Sequence, residues 1–327
     1  MVRMTALCLV LIFFCASCLP EETSSAETQY FRLASNLSHN FVTNQALQLF
    51  CDIVEERSEG RILIEPYFDG ELGTEDAVLE QCVYGGIDFA RVSSSTAAKY
   101  APLLTALQMP YEYTSDEHIF RVLDGEIGCS VLQTLPDSLF GVSYLYAGYR
   151  CFFSTDAPLG SLEQIKGKRL RVAAVQMGAL VEQWGASAIQ LDEDELTLAL
   201  RSGIVDGAED NLPSYVFGGY YRLAPYWVYD RHSYMTDVLV ASAQSLERLT
   251  PDDRALVLEC AKEAAAWQRE HWIAAEVRAM MHASHNGCYM TLLQDQDVER
   301  LREAALPVYD NLTDEQAAVV EAVRALA

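Results

Sequence analysis

The spacing of apolar and polar positions changes repeatedly along the first third of the chain. It alternates between the two-residue period of a strand and the 3.6-residue period of a helix. Residues 44–58 carry apolar side chains every three or four positions, and a glycine follows them; residues 61–68 then have a strand pattern. The same reasoning predicts strands at 30–34 and 87–92 and a helix at 74–84. This order of elements is typical of an α/β domain with parallel strand pairing.

The middle of the chain begins a second series of this kind, and the last third is mainly helical. Strands are predicted at 141–146, 168–173 and 203–207, and helices at 177–185 and 192–202. Residues 251–284 contain strong helix formers, a proline in the first turn and no glycine. They predict one long helix, or a broken pair of helices, that crosses between two domains.

The N-terminal residues have the pattern of an export signal. Arg3 is followed by an apolar run at 7–14, which is too short to span a bilayer as a mature helix. The next four residues, Cys15-Ala16-Ser17-Cys18, resemble a bacterial lipobox, in which Cys18 is lipidated, although Cys15 replaces the usual aliphatic residue. An ordinary signal peptide cleaved before Glu27 is the alternative. Residues 1–27 are therefore predicted to be a leader and tether, and the protein to be periplasmic.

Composition narrows the classes of function. The formal net charge is -24 and the pI is near 4.5, so the surface repels nucleic acid and anionic membranes. Nine cysteines are present; the six that follow the leader contain no Cys-x-x-Cys motif, and no histidine lies at metal-ligand spacing from them. No nucleophile–base motif or phosphate-binding loop is found. We therefore expect no metal site, no cofactor and no enzymatic activity.

Several short motifs then occur in a recognisable order. They are Glu-Leu-Gly at 71–73, Gly-Ile-Asp-Phe-Ala at 86–90, Gly-Tyr-Arg at 148–150, LGSLEQIKGKRLRV at 159–172 and ELTLALRSGIVDG at 195–207, followed by Ala-Glu-Asp-Asn at 208–211. In this order and spacing the chain resembles the DctP-type substrate-binding proteins of TRAP transporters. The resemblance covers nearly all of the chain after the leader.

The resemblance implies an α/β periplasmic-binding-protein fold, with two domains joined by hinge strands and a long connecting helix. Residues 28–147 with 237–276 would form domain I, and residues 148–236 with 277–327 would form domain II. It also implies capture of a small organic carboxylate and its delivery to the TRAP membrane permease subunits. Some systems of this family use a tetratricopeptide-repeat partner protein as well.

Two arginines are candidates for binding the carboxylate. An arginine offers two parallel charge-assisted bonds to a carboxylate, which a lysine cannot. Arg169 and Arg171 share one face of a predicted strand, so the residues alone do not separate them. Arg171 is the one that resembles the family's carboxylate clamp, and Arg150 resembles its second ligand-facing arginine.

The remaining candidate contacts are Asn36, Ser93, Tyr111, Asp210 and Asn211. Asp210 stands where the family commonly has an asparagine; its charge would repel a second carboxylate, which argues against a simple dicarboxylate ligand. Ser93 stands where sialic-acid-binding members have an acid, which argues against sialic acid. Aromatic residues crowd the segment 215–229 and either pack the second domain or line the cleft.

Other classes of function are less compatible with the sequence. A binding protein of an ABC importer would share the fold, but the strand arginine and the Val-Asp-Gly-x-Glu segment at 205–209 argue against it. A ligand-sensing lipoprotein with a signalling partner stays open. A hydrolase using aspartate and histidine lacks a paired nucleophile and base.

Overall fold

The computed structural model describes residues 28–327, and its first third has the predicted order of elements. The elements are β1 (Gln29–Ala34), α1 (Val42–Arg57), β2 (Ile62–Tyr67), α2 (Glu75–Val83) and β3 (Phe89–Ser93). β1 lies between β2 and β3 and pairs with both in parallel. Thr74 begins α2 by accepting a hydrogen bond from the backbone N–H of Ala77, the usual role of a threonine N-cap.

Short helices lead from this unit to the two longest strands. They are α3 (Ser94–Ala97), a 3₁₀ helix (Pro102–Gln108), α4 (Asp116–Asp124) and α5 (Glu126–Leu132). β4 (Leu139–Ser154) follows as one sixteen-residue strand, which includes the predicted strand 141–146 and extends well beyond it. The second unit then contains α6 (Leu162–Ile165), β5 (Arg169–Val172), α7 (Val175–Gln183), β6 (Ser187–Gln190), α8 (Glu193–Ser202), β7 (Gly207–Asp210), α9 (Leu212–Phe217) and β8 (Tyr226–Tyr229).

The remaining elements return to the first unit and then cross back. β9 (Ser233–Ser242) is followed by α10 (Ala243–Glu247) and α11 (Pro251–His285). α11 is one unbroken helix of 35 residues, so the segment 251–284 forms a single long helix and not a broken pair. The chain ends with β10 (Tyr289–Leu292), α12 (Asp295–Ala305), a 3₁₀ helix (Leu306–Asn311) and α13 (Asp314–Arg324).

One strand prediction is wrong. The segment 203–207 was expected to be a strand, but Gly203 ends α8 in the left-handed conformation, with φ of 68°. A glycine just past a helix adopts this conformation without a Cβ clash, so it is a helix stop. The strand β7 begins only at Gly207.

The strands divide between two lobes that share β4. In the first lobe the order is β2-β1-β3-β9-β4; in the second, β4 continues to β7, β5 and β6 on one side and to β8 and β10 on the other. Leu139 to Arg150 pair antiparallel with β9, whereas Cys151 to Ser154 pair with β7. β4 and β9 are therefore the strands that connect the lobes, as the two-domain binding-protein fold requires. The exact domain boundaries given above stay a prediction.

The long helix packs against the middle of this connection. The register of β4 against β9 shifts between Tyr146 and Tyr149, which is a bulge. Gly148 lies in this bulge with φ of 74°, and a Cβ there would stand 2.7 Å from the indole nitrogen of Trp272 on α11. α11 also contributes Val257 and Cys260 to the first lobe's core and Ala279 to the second lobe's core. The helix thus packs against the connecting strands and contacts the cores of both lobes.

Candidate ligand-binding cleft

A cavity of about 720 Å³ lies between the two lobes, beside the hinge strands. Its wall combines residues of the first lobe, such as Asn36 and Glu75, with residues of the second lobe, such as Arg171 and Asn211. Most of these side chains are polar or charged. Phe41 is the aromatic side chain that lines the cavity within the described chain. Such a wall suits a compact, highly polar ligand.

Arg171 projects into this cavity from the end of β5. Its neighbours Leu170 and Val172 face the opposite way and pack in the second lobe's core. Arg171 is 5% exposed, and its Nε donates to the backbone oxygen of Leu191 at 2.9 Å. Among the ion pairs of residues 28–327, Arg171 takes part in none, so its terminal nitrogens are available to a ligand. Arg169 instead lies at the surface and pairs with Asp206 at 2.6 Å.

Arg150 lines the same cavity but is already neutralised by protein groups. Its Nε donates to the carboxylate of Glu209, and its Nη1 lies 3.1 Å from Oδ1 of Asp210. Glu209 is fully buried and also accepts the backbone N–H of Ala173 at 3.0 Å. Burial alone would raise the pKa of Glu209, but the positive charges of Arg150 and of the nearby His232 lower it to about 2.

His232 extends this buried chain of charges. Its Nδ1 lies 2.7 Å from Oδ2 of Asp230, its Nε2 lies 3.7 Å from Glu209, and its ring stacks on Phe152. Burial opposes its charge, but Asp230 and Glu209 raise the pKa of His232 to about 9. At neutral pH the imidazolium therefore helps to hold Glu209, and through it Arg150, in place.

Asp210 and Asn211 stand at the end of β7, facing the cavity. Burial raises the pKa of Asp210, while the charges of Arg150 and Arg171 oppose that shift. Asn211 caps α9, because its side-chain oxygen accepts the N–H of Ser214 at 2.8 Å. A ligand group near these residues meets a carboxylate and an amide together.

Asn36 and Ser93 line the first lobe's side of the cavity, around an arginine that the sequence analysis did not identify. Arg91, on β3, donates to Oδ1 of Asn36 at 3.0 Å and pairs with the carboxylates of Glu75 and Asp237. The hydroxyl of Ser93 donates to Glu75 at 2.8 Å. The position of Ser93 therefore has a carboxylate beside it, supplied by Glu75. An arginine within the apolar strand Phe89–Ser93 was the signal that could have found this cluster.

Tyr111 lies outside the cavity wall. Its backbone N–H donates to His232 at 2.8 Å, and its ring packs against the second lobe's core. The crowded aromatic residues Tyr215, Tyr221 and Trp227 form a second core cluster of that lobe. Of the two interpretations of the segment 215–229, packing is the one that the structure supports.

Glu193, a second residue that the sequence analysis did not single out, begins α8 and lines the cavity from the second lobe. Its carboxylate is accessible from the cavity and, within the described chain, lies in no ion pair. The surrounding cleft desolvates it, and the charges of Asp210 and Glu75 repel it; together they raise the pKa of Glu193 to about 7, against the attraction of Arg171 and Arg91.

Three other features are absent between Thr28 and the C-terminus: a metal-binding cluster, a disulfide and a membrane-spanning helix. No group of three or more His, Cys, Asp or Glu side chains there is placed to hold a metal ion. The six cysteines of this region are unpaired, and four of them, Cys51, Cys82, Cys151 and Cys260, are buried. No helix between residues 28 and 327 has the length and hydropathy needed to span a bilayer. Cys18 lies outside the described residues.

Comparison with known families gives a match over most of the chain. The model of the DctP family, bacterial extracellular solute-binding protein family 7, matches residues 33–316. A solute-binding protein of Chromohalobacter salexigens is 27% identical over 281 residues, which are 84% of this chain and 82% of that protein.

Solved structures give the same result. A TRAP periplasmic solute-binding protein from Xanthobacter autotrophicus, solved with β-D-galacturonate, superposes with a TM-score of 0.84 at 27% identity, covering 90% of this chain and 99% of that one. One from Chromohalobacter salexigens, solved with D-glucuronate, gives 0.87 at 25% identity, covering 91% of this chain and 100% of that one. These neighbours are binding proteins of a transport system, not enzymes.

Proposed function

This chain belongs to the DctP family of TRAP solute-binding proteins, and we propose that it captures a sugar acid in the cleft and delivers it to a membrane permease. Arg171 clamps the ligand's carboxylate in this proposal. The observation that carries it is the contrast among the cleft arginines. Arg91 and Arg150 are each paired with two protein carboxylates, whereas Arg171 keeps its terminal nitrogens open to the cavity.

The shape and polarity of the cavity support a polyhydroxylated ligand. A volume of about 720 Å³ accommodates a monosaccharide acid with water around it. Acceptors are abundant on the wall, in Glu75, Asp210 and Asp237, and each can take a hydrogen bond from a ligand hydroxyl. The uronates found in the two solved neighbours have this combination of one carboxylate and several hydroxyls.

The same carboxylates oppose a dicarboxylate ligand. Its second charged group would lie near Asp210 or Glu75, where like charges repel in a partly desolvated cleft. A charged hydrogen bond contributes roughly 1.5–3 kcal/mol net. Arg171 alone therefore gives modest affinity, and hydroxyl contacts to both lobes supply the rest.

Capture depends on closure of the lobes about β4 and β9. The ligand touches Arg171 on one lobe and Glu75 or Asn36 on the other, so it stabilises the closed arrangement specifically. Closure removes water and strengthens the clamp. Delivery to the permease follows from family membership, and anchorage at Cys18 keeps the protein at the membrane in this proposal. A tetratricopeptide-repeat partner is compatible with the proposal but not required by it.

Isothermal titration calorimetry with D-galacturonate and D-glucuronate tests the proposal, with succinate as the comparison ligand. The wild type should bind at least one uronate and bind succinate more weakly. Arg171→Ala should weaken uronate binding at least tenfold. Arg169→Ala is the matched control, because Arg169 lies on the same strand but pairs with Asp206 at the surface. Equal affinities for the wild type and Arg171→Ala would overturn the clamp.

A further inference from the structure

The centre of the cleft holds more acidic than basic side chains. Glu75, Asp237, Glu209, Asp210 and Glu193 supply five carboxyl groups. They are opposed by Arg91, Arg150, Arg171 and the imidazolium of His232, and the last is itself paired with Asp230. A ligand that enters as a carboxylate adds one more negative charge to this cluster.

The added charge has a defined place. If Arg171 holds the ligand carboxylate, the carboxylate lies at the wall formed by the end of β5, the end of β7 and the start of α8. Arg171 is tied to that wall, because its Nε donates to Leu191, two residues before Glu193. The positive charge of Arg171 acts to lower the pKa of both Asp210 and Glu193. The incoming carboxylate therefore approaches these two side chains.

Of these two side chains, Glu193 is the one whose carboxylate has no ion-pair or hydrogen-bond partner among residues 28–327. Asp210 is held by Nη1 of Arg150 at 3.1 Å and by the backbone N–H of Asn211 at 2.8 Å, and both interactions favour its charged form. The groups that act on Glu193 are the carboxylates of Asp210 and Glu75, the guanidinium groups of Arg171, Arg91 and Arg150, and the hydroxyl of Tyr220. Its chain neighbours Asp192 and Asp194 also line the cavity. Nothing in this set fixes a proton donor on its carboxylate.

We propose that Glu193 is a ligand-binding residue that takes up a proton when the ligand arrives and donates a hydrogen bond to the carboxylate held by Arg171. A carboxylic acid donating to a carboxylate makes a short, charge-assisted bond. Protonation also removes the repulsion that a charged Glu193 would exert on the ligand. The inference rests on the proposed function, because it requires a carboxylate at Arg171.

Before the ligand binds, the cleft already shifts Glu193 towards the protonated form, since desolvation by the cavity wall and the charges of Asp210 and Glu75 raise its pKa to about 7. A ligand carboxylate raises it further. The bound state then holds more protons than the free state above neutral pH, so affinity is complete below pH 7 and falls as pH rises through the pKa of the complex. Uptake of one proton corresponds to a dissociation constant that rises about tenfold per pH unit above pH 7.

Calorimetry at pH 8 measures the proton directly. The wild type is titrated with D-galacturonate and D-glucuronate in phosphate and in Tris, whose heats of ionisation differ, and the difference in binding heat gives the number of protons taken up. We expect close to one proton per ligand for the wild type and none for Glu193→Gln. The dissociation constant of Glu193→Gln should be nearly independent of pH between 6 and 8.5.

Two further variants identify which carboxylate takes up the proton. Asp194→Asn removes a carboxylate from the same helix turn and cavity wall, and should leave the proton uptake unchanged. If Asp210→Asn abolishes the uptake and Glu193→Gln does not, Asp210 is the proton acceptor and the inference is overturned. Uronate binding without proton uptake overturns it as well, while the proposed function stands. If neither uronate binds the wild type, the proposed function fails and the inference with it.

Discussion

Replacing Arg150 by methionine should destabilise the fold, whereas the same replacement at Arg171 should not. Methionine keeps most of the apolar stem and removes the charge. Arg150 is 6% exposed and faces two carboxylates, those of Glu209 and Asp210. Arg171 is equally buried but has no carboxylate within ion-pair distance in residues 28–327. The two variants therefore distinguish an arginine that is held by protein carboxylates from the arginine that we propose as the ligand clamp.

The magnitude follows from the burial of Glu209. Removing one partner of a buried ion pair leaves the other charge uncompensated, which costs about 3–5 kcal/mol. His232 still faces Glu209, so we expect Arg150→Met to lie at the lower end of that range. Arg171→Met removes a charge that no carboxylate between residues 28 and 327 balances at ion-pair distance, and should change the free energy of unfolding by less than about 1 kcal/mol.

The dependence on pH gives a second signature. In the wild type the pKa of Glu209 is lowered to about 2, so its contribution to stability is present above its unfolded pKa and is lost as pH falls towards 2. Without Arg150, burial dominates and the pKa of Glu209 rises. The deficit of Arg150→Met relative to the wild type should therefore be largest at pH 8 and shrink towards pH 5, as Glu209 becomes protonated in the variant.

Urea denaturation of the ligand-free proteins at pH 5 and pH 8, followed by far-ultraviolet circular dichroism, measures these quantities. A free energy of unfolding for Arg150→Met within about 1 kcal/mol of the wild-type value at pH 8 would contradict the stabilising role of Arg150. An Arg171→Met variant that is less stable than Arg150→Met would contradict it as well.

Three further predictions concern the hinge, the buried histidine and the leader. Gly148→Ala should lower the free energy of unfolding more than Gly167→Ala in thermal and urea melts; both glycines have positive φ, but only at Gly148 would the Cβ approach Trp272, at 2.7 Å. His232→Gln should make the free energy of unfolding less dependent on pH. In the wild type the pKa of His232 is raised to about 9, so the stability that its charge contributes is lost between about pH 6.5 and 9, and urea midpoints across that range measure the difference. Cys18→Ser should move the protein from the membrane to the soluble fraction of cells; an unchanged distribution contradicts anchorage at Cys18.

The order of elements in the first lobe could be predicted because local patterns determine it. The period of residues 44–58 and the strand pattern of 61–68 correspond to α1 and β2 within a few residues. The strand prediction for residues 203–207 was wrong because a short apolar run between glycines has the same pattern whether the first glycine ends a helix or begins a strand. Only the left-handed conformation of Gly203 decides the matter.

The candidate site could be predicted in part. Alternation placed Arg169 and Arg171 on one face, and the family resemblance selected Arg171; the structure shows that the first is at the surface and the second in the cavity. Glu193 was missed because its placement in the cleft depends on how the two lobes face each other, which no local pattern encodes. Arg91 was missed although a charged residue within the apolar strand Phe89–Ser93 could have indicated it. Tyr111 was a candidate contact, but it packs against the second lobe's core, and its backbone N–H donates to the carbonyl oxygen of His232.

A crystal structure of the protein with D-galacturonate or D-glucuronate would show which arginine binds the ligand's carboxylate. We expect a closed cleft in which the carboxylate lies within about 2.7–2.9 Å of both terminal nitrogens of Arg171. The same structure should place ligand hydroxyls on Glu75, Asp210 or Asp237. A uronate whose carboxylate lies on Arg150 or Arg91, with Arg171 facing only water, would contradict it.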